Sequence, residues 1–294
     1  MYRRKIAWLL FGWLALILVA AGNVAAGSPK TFLWEVGTGT GRAYVLGSIH
    51  LAKPDIYPLD SRIESAFQRA DGLAVEADVR SLDPARIGRA LRDYGLYPEG
   101  QTLEGSLPSP IKAMMQARGL DMARLNPLRP WLAAATIQAE EIARLGLSEE
   151  YGIDLYFLQK AAAFGKPVRE LESVDYQFEL LGSLSPGEQV LFLKATLLEL
   201  DDMADGIESL MDAWRNGDAK RFEERFFEKY AKQVEFHPLM EKLIFQRNDL
   251  MCARIEELAR SGRTWFVVVG AGHLVGERGL IRMLQSKGYT VDQR

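Results

Sequence analysis

Apolar and polar positions change period along this chain, and the changes mark its elements. From Thr31 to Val36 they alternate around Phe32, Trp34 and Val36, and a second apolar run, Ala43-Tyr44-Val45-Leu46, follows the turn residues Gly37-Thr38-Gly39-Thr40-Gly41. Alternation interrupted by such a turn predicts a β-hairpin. Gly72-Leu73-Ala74-Val75 and Thr264-Trp265-Phe266-Val267-Val268-Val269 are unbroken apolar runs, as strands buried on both faces require. Lys166 to Glu172 reads as a short strand ending in carboxylates, and Tyr289 to Val291 as a last one. Between about residues 82 and 260 the pattern turns helical and amphipathic, cut by turn clusters at Pro98-Glu99-Gly100, Leu107-Pro108-Ser109-Pro110 and Ser185-Pro186-Gly187. A helix is expected after Asp60 or Ser61 with Ile63, Ala66, Phe67 and Ala70 on one face. Others run from Pro130 to Leu145, from Glu149 to Phe164, onward from His237-Pro238, and from Leu280 to Ser286. The sum is an α/β fold in which a small central sheet carries a large helical middle region.

The first 26 residues stand apart. Arg3-Arg4-Lys5 precede an apolar stretch from Ile6 to Ala21, and Val24-Ala25-Ala26 supplies small residues before Gly27. This is the pattern of a secretory signal peptide, and it predicts an exported, periplasmic protein with one domain over residues 27–294 and no later membrane span. Retention of the segment as an anchor is the lesser alternative. The net charge is −3 with the leader's three cations counted, and more negative without them. That sign disfavours nucleic acid or an anionic membrane as the main partner, and the Lys and Arg positions read as scattered, solvated helix faces. A single cysteine, Cys252, excludes an intrachain disulfide and a cysteine-rich metal site. It sits in a helical pattern and reads as buried.

Two four-residue stretches, Gly47-Ser48-Ile49-His50 and Gly270-Ala271-Gly272-His273, share the pattern Gly-x-x-His, and they hold two of the chain's three histidines. Each follows a predicted strand, so each imidazole stands at the strand-end rim where α/β folds collect ligands. Glu76 also follows a predicted strand. Two imidazoles and a carboxylate are the ligand types of open divalent-metal sites, which activate water for hydrolysis. The alternative for each is an ordinary turn residue. In the helix after His237, the apolar stripe of Met240, Ile244, Met251, Ile255 and Leu258 is interrupted by Arg247 and Asn248. A guanidinium facing inward requires a carboxylate or an anionic ligand. Asp154 also faces inward and is expected in an ion pair with an arginine, with metal binding as the alternative. Glu170 and Glu172 are supporting or solvated carboxylates. His237 reads as a surface or capping residue, and Ser48 lacks the partners of a serine nucleophile. Gly270-Ala271-Gly272-His273 with Asp292 mimics a dinucleotide loop, a reading that an exported protein disfavours.

These residues resemble the TraB/GumN family, which includes the Tiki metalloproteases. The matching pieces are Gly47-Ser48-Ile49-His50 with Tyr57-Pro58-Leu59, Val75-Glu76-Ala77-Asp78, Arg129-Pro130-Trp131, Gly152-Ile153-Asp154, Gly165-Lys166-Pro167-Val168 with Leu171-Glu172, Arg247-Asn248, and Val269-Gly270-Ala271-Gly272-His273. The resemblance implies a fold of the erythromycin esterase and ChaN-like group, with His50, Glu76 and His273 at the centre and as ligands of manganese, cobalt or zinc. Arg247 and Asn248 would support them, Arg247 by orienting an anionic group or a developing oxyanion. It further implies a peptidase-like hydrolase acting on a peptide or envelope substrate. Where many relatives carry Glu before Arg-Asn, this chain has Gln246. Two other classes stay open: a binding protein for metal, haem or an envelope ligand, and a metal-free hydrolase using His50 as general base.

Overall fold

Six short strands pair into one mixed sheet: β1 (Leu33–Gly37), β2 (Arg42–Ser48), β3 (Gly72–Val75), β4 (Val168–Glu170), β5 (Thr264–Gly270) and β6 (Thr290–Gln293). The computed structural model describes residues 30–37, 41–81 and 83–294; the segment read as a signal peptide and the hairpin tip 38–40 lie outside them. Strand order is β4-β3-β5-β2-β1-β6. The first four of these run parallel, β1 is antiparallel to β2, and β6 is antiparallel to β1. β2 and β5 are matched residue for residue from Arg42 with Thr264 to Ser48 with Gly270. Both are buried along nearly their whole length, which is why their sequences read as continuous apolar runs instead of alternating ones. The predicted last strand lies slightly later than expected, at the half-exposed edge.

The sheet's core is covered by helices Ser61–Arg69, Ile153–Ala163 and Gln246–Ala259. Asp60 caps the first by accepting the backbone N–H of Arg62 at 2.8 Å, and Ile63, Ala66 and Phe67 are its buried face. The rings of Phe67, Phe157 and Phe266 meet with centroids 4.7–5.6 Å apart, joining two helices to β5. The helical middle has a separate core around Trp131, Leu132, Phe178, Phe192 and Phe236. There helices Pro130–Arg144 and Pro186–Glu199 pack on each other. Pro130 opens its helix as expected, and Trp131 anchors it by donating Nε1–H to the Tyr94 carbonyl at 2.7 Å.

Two expected helices are divided. The one predicted from Glu149 is a 3₁₀ turn, Glu149–Tyr151, followed by Ile153–Ala163. Gly152 lies at the break in extended conformation, and a Cβ there would come within 2.3 Å of the His50 carbonyl oxygen. The close approach lets Ile153 N–H bond the Ile49 carbonyl at 3.0 Å and sets the helix start against the rim. The helix after His237 divides into His237–Met240, a π-helical stretch Glu241–Phe245 and Gln246–Ala259. A π turn adds a residue to the helical repeat, changing which side chains continue the inward stripe just before Arg247. Among the described residues no helix is long and apolar enough to cross a membrane.

Candidate functional site

The four parallel strands end at one rim, and each delivers a polar residue there. β2 leads to His50, β3 to Glu76, β4 to Glu172 and β5, through the short helix Ala271–Leu274, to His273. Pairing continues past the strands, with Leu171 N–H on the Val75 carbonyl and Glu172 N–H on the Glu76 carbonyl, each at 2.8 Å, so the two glutamates stand side by side. Trp214 donates its indole N–H to the Gly47 carbonyl at 2.7 Å and holds the end of β2.

Glu76 is 2% exposed, and both its oxygens are engaged. Oε1 accepts the Gly270 backbone N–H at 2.6 Å and Oε2 accepts Arg247 Nη2 at 2.7 Å. Arg247 also grips Glu172, through Nε at 2.9 Å and Nη2 at 2.8 Å, while Nη1 reaches the Leu243 carbonyl at 3.3 Å. Gln177 donates to Glu172 Oε2 at 3.1 Å. One guanidinium therefore clamps two buried carboxylates. Burial alone would lower its pKa, but Glu172 and then Glu76 outweigh this and raise it further, so the charge is permanent. The inward-facing arginine has met carboxylates: Glu172 takes Nε and shares Nη2 with Glu76, so one fork orients both.

The histidines are held differently. Asp154, in the first turn of its helix, binds His50 Nδ1 through Oδ2 at 2.7 Å, and Ser48 Oγ donates to the same oxygen at 2.8 Å. The partner of Asp154 is thus a histidine, not the arginine expected from sequence. His50 Nε2 faces Glu76 Oε1 at 4.0 Å. Burial depresses the His50 pKa, but Asp154, by charge and hydrogen bond, and then Glu76 reverse this and leave it raised. Asp154 is lowered, its burial penalty outweighed by His50 and the Ser48 hydrogen bond. His273 Nδ1 lies 2.6 Å from Asn248 Oδ1, and Asn248 Nδ2 donates to the Arg278 carbonyl at 2.8 Å. That second bond assigns the amide's orientation, so His273 carries its proton on Nδ1 and its lone pair on Nε2. Its pKa is pushed well below the ordinary value by burial and then by the Arg247 charge. His273 is a neutral imidazole.

The three central residues converge on Gly270. A Cβ built there would lie 2.9 Å from His50 Nε2, 3.2 Å from Glu76 Oε1 and 3.6 Å from His273 Cδ2, the ring carbon bonded to Nε2. Glycine keeps this space open. Among the described residues no three His, Cys, Asp or Glu side chains form a ready-made metal cage. The donor types nevertheless suit a divalent ion: each imidazole has Nδ1 tied to an oxygen, the arrangement that orients metal-binding histidines. Ser48 lies on the Nδ1 side of His50, opposite to where a serine nucleophile must stand. The dinucleotide reading finds no support either. The Gly270 N–H is bound to Glu76, a Cβ at Gly272 would meet the Phe226 ring at 2.2 Å, and Asp292 lies on β6, three places along the sheet from β5. His237 and Gln246 are exposed, and Glu170 accepts the Asp78 backbone N–H at 2.7 Å. Asp154 and Glu172 complete the centre; their signal in the sequence was an acidic residue on an inward helix position and one just past a strand end.

Paired imidazoles and a clamped glutamate at the C-terminal rim of the parallel strands place the protein among α/β folds with a buried polar centre. The chain belongs to the TraB/PrgY/gumN family, whose family model matches residues 32–293. It is 29% identical over 246 residues to YbaP of Escherichia coli (strain K12), an uncharacterized protein, covering 82% of this chain and 87% of that one. YbaP of Shigella flexneri is 29% identical over 251 residues, 84% of this chain and 89% of its own. More distantly, the metalloprotease TIKI2 of Danio rerio is 24% identical over 324 residues, covering 90% of this chain and 61% of that protein. No solved structure matches the chain.

Proposed function

We propose that this protein is an exported, metal-dependent hydrolase of the peptidase type, with His50, Glu76 and His273 as ligands of a divalent ion such as manganese, cobalt or zinc. The observation that supports this best is the convergence of two Nδ1-anchored imidazoles and Glu76 around the side-chain-free Gly270. The relatedness to TIKI metalloproteases supports a peptide as substrate. A bound ion would polarise a carbonyl and lower the pKa of a water held beside it. The chain's own residues do the positioning. Asp154 fixes the tautomer and direction of His50, Asn248 does so for His273, and Arg247 with the Gly270 N–H holds the Glu76 carboxylate.

Elemental analysis of chelator-free protein beside His50→Ala and His273→Ala tests this reading. The wild type should hold about one divalent ion per chain and both variants should lose it. Hydrolysis of an unstructured protein substrate should follow the metal. Full hydrolytic activity in both variants would end the assignment.

The Asp154–His50 geometry favours a second reading. An imidazole with Nδ1 on a carboxylate and Nε2 turned to the open side is arranged for proton transfer, so His50 could serve as general base without metal. Activity that resists chelators and disappears in Asp154→Asn selects this alternative.

A further inference from the structure

Away from the rim, the fold gathers arginines that lie far apart in the chain. Arg42 opens β2, Arg62 and Arg69 lie on the Ser61–Arg69 helix, and Arg294 follows β6; all four line one groove of about 730 Å³. Its floor is the face of β1 and β2 that carries Leu33, Glu35 and Tyr44. Among the described residues Glu35 is the one acidic side chain of the lining, and Asp60, beside the lining residue Ser61, pairs with Arg62. Glu35 is bound on both oxygens, by Arg42 Nη1 at 2.9 Å and by Arg294 Nη2 at 2.6 Å. Arg62 pairs with Asp60 at 2.7 Å, and Arg69 makes no ion pair among the described residues. The chain as a whole is acidic, at −3, so this local excess of positive charge is not a by-product of composition.

We propose that the groove is a binding site for a ligand bearing two or more phosphate or carboxylate groups. Guanidinium forks match the geometry of such oxyanions, and Glu35 already shows how one is gripped here, from two sides. On the opposite wall, Arg69 and the Ser61 and Ser65 hydroxyls present further donors. None of the lining residues belongs to the centre at His50, Glu76 and His273, so anion binding is separable from the chemistry at the rim.

Calorimetric titration with inorganic tripolyphosphate and, separately, with citrate tests the site. The wild type and His50→Ala should each bind at one saturable site per chain, with affinity that falls as salt rises. Arg69→Glu and the double variant Arg42→Ala/Arg69→Ala should weaken binding about tenfold or more. Arg69→Glu breaks no ion pair but puts an anion in the last turn of its helix, so its unfolding midpoint should fall only slightly, and it carries the test if the double variant folds poorly. Binding of tripolyphosphate alone identifies a phosphoryl ligand, and binding of citrate alone a carboxylate ligand. The proposal is overturned if neither anion saturates, if both arginine variants bind as wild type does, or if His50→Ala loses the binding, which would place the anion at the rim.

Discussion

The two Gly-x-x-His motifs end neighbouring parallel strands, yet they hold their imidazoles in opposite electrostatic states. His50 has a carboxylate, Asp154, on Nδ1 and a second, Glu76, beyond Nε2, and both favour its protonated form. His273 has the neutral amide of Asn248 on Nδ1, which brings no charge to offset its burial and the field of Arg247, so it refuses a proton. The motif supplies a ring at a strand end and room for the backbone. Which charge state that ring adopts is set by its surroundings: for His50 chiefly by Asp154, 104 positions away, acting against burial, and for His273 by burial and then the Arg247 charge. One sequence pattern thus yields one imidazole suited to proton exchange and one that stays a neutral donor.

The residue between the two halves should give the largest effect. Arg247→Met leaves Glu76 and Glu172 buried without their cation, and a loss of about 3–5 kcal/mol in urea unfolding is expected. A loss under about 1 kcal/mol would show that the carboxylates find other partners. Next, Gly270→Ala drives a Cβ against His50 Nε2 and Glu76 Oε1, the gap both halves share. It should cost about 1–3 kcal/mol of stability and abolish hydrolysis, while an active variant would separate the motifs from the chemistry.

Exchanging the Nδ1 partners tests the contrast itself. By NMR titration of the metal-free protein, Asp154→Asn should lower the His50 pKa and Asn248→Asp should raise that of His273; unchanged values would place the difference elsewhere. The two histidines also act oppositely on stability. Because the folded pKa of His273 is depressed, its contribution is full above the unfolded value near 6.5 and declines as pH falls below it, so His273→Gln should flatten the acid limb of a stability profile. Because that of His50 is raised, its contribution is full below 6.5 and is lost as pH rises through its folded value, and Asp154→Asn should remove that loss. The smallest effect concerns Cys252, on the helix that carries Asn248. Burial pushes its thiol up to about 11, so iodoacetamide at pH 8 should label the native protein only slowly. Rapid labelling would mean that this helix, and the His273 half of the site with it, opens readily.

The strands and both motifs were legible because their signals are local: continuous apolar runs at Ala43–Leu46 and Trp265–Val269, then glycine and histidine within four residues. Arg247 was legible as a misfit, a cation on an inward face that had to find an anion. Its partners, Glu76 and Glu172, were legible only as carboxylates after predicted strands, since nothing local says that one guanidinium joins them. Asp154 was assigned the wrong kind of partner for the same reason. A sequence shows that a carboxylate faces inward, and only the packing of Gly152 against the His50 carbonyl shows what it faces. The four arginines of the groove read as scattered surface charge because they come from three separate segments.

By itself the sequence determined the strands and the main helices, though not the breaks at Gly152 and Glu241–Phe245, together with the two strand-end histidines and the need for a buried counter-charge, because periodicity, turn chemistry and desolvation act within a few residues. The tertiary structure decided which groups meet. Hydrogen bonds near 2.7 Å and Coulomb fields in a dry interior depend on distances through space, and residues such as His50 and Asp154 acquire those distances only when the sheet and its helices pack.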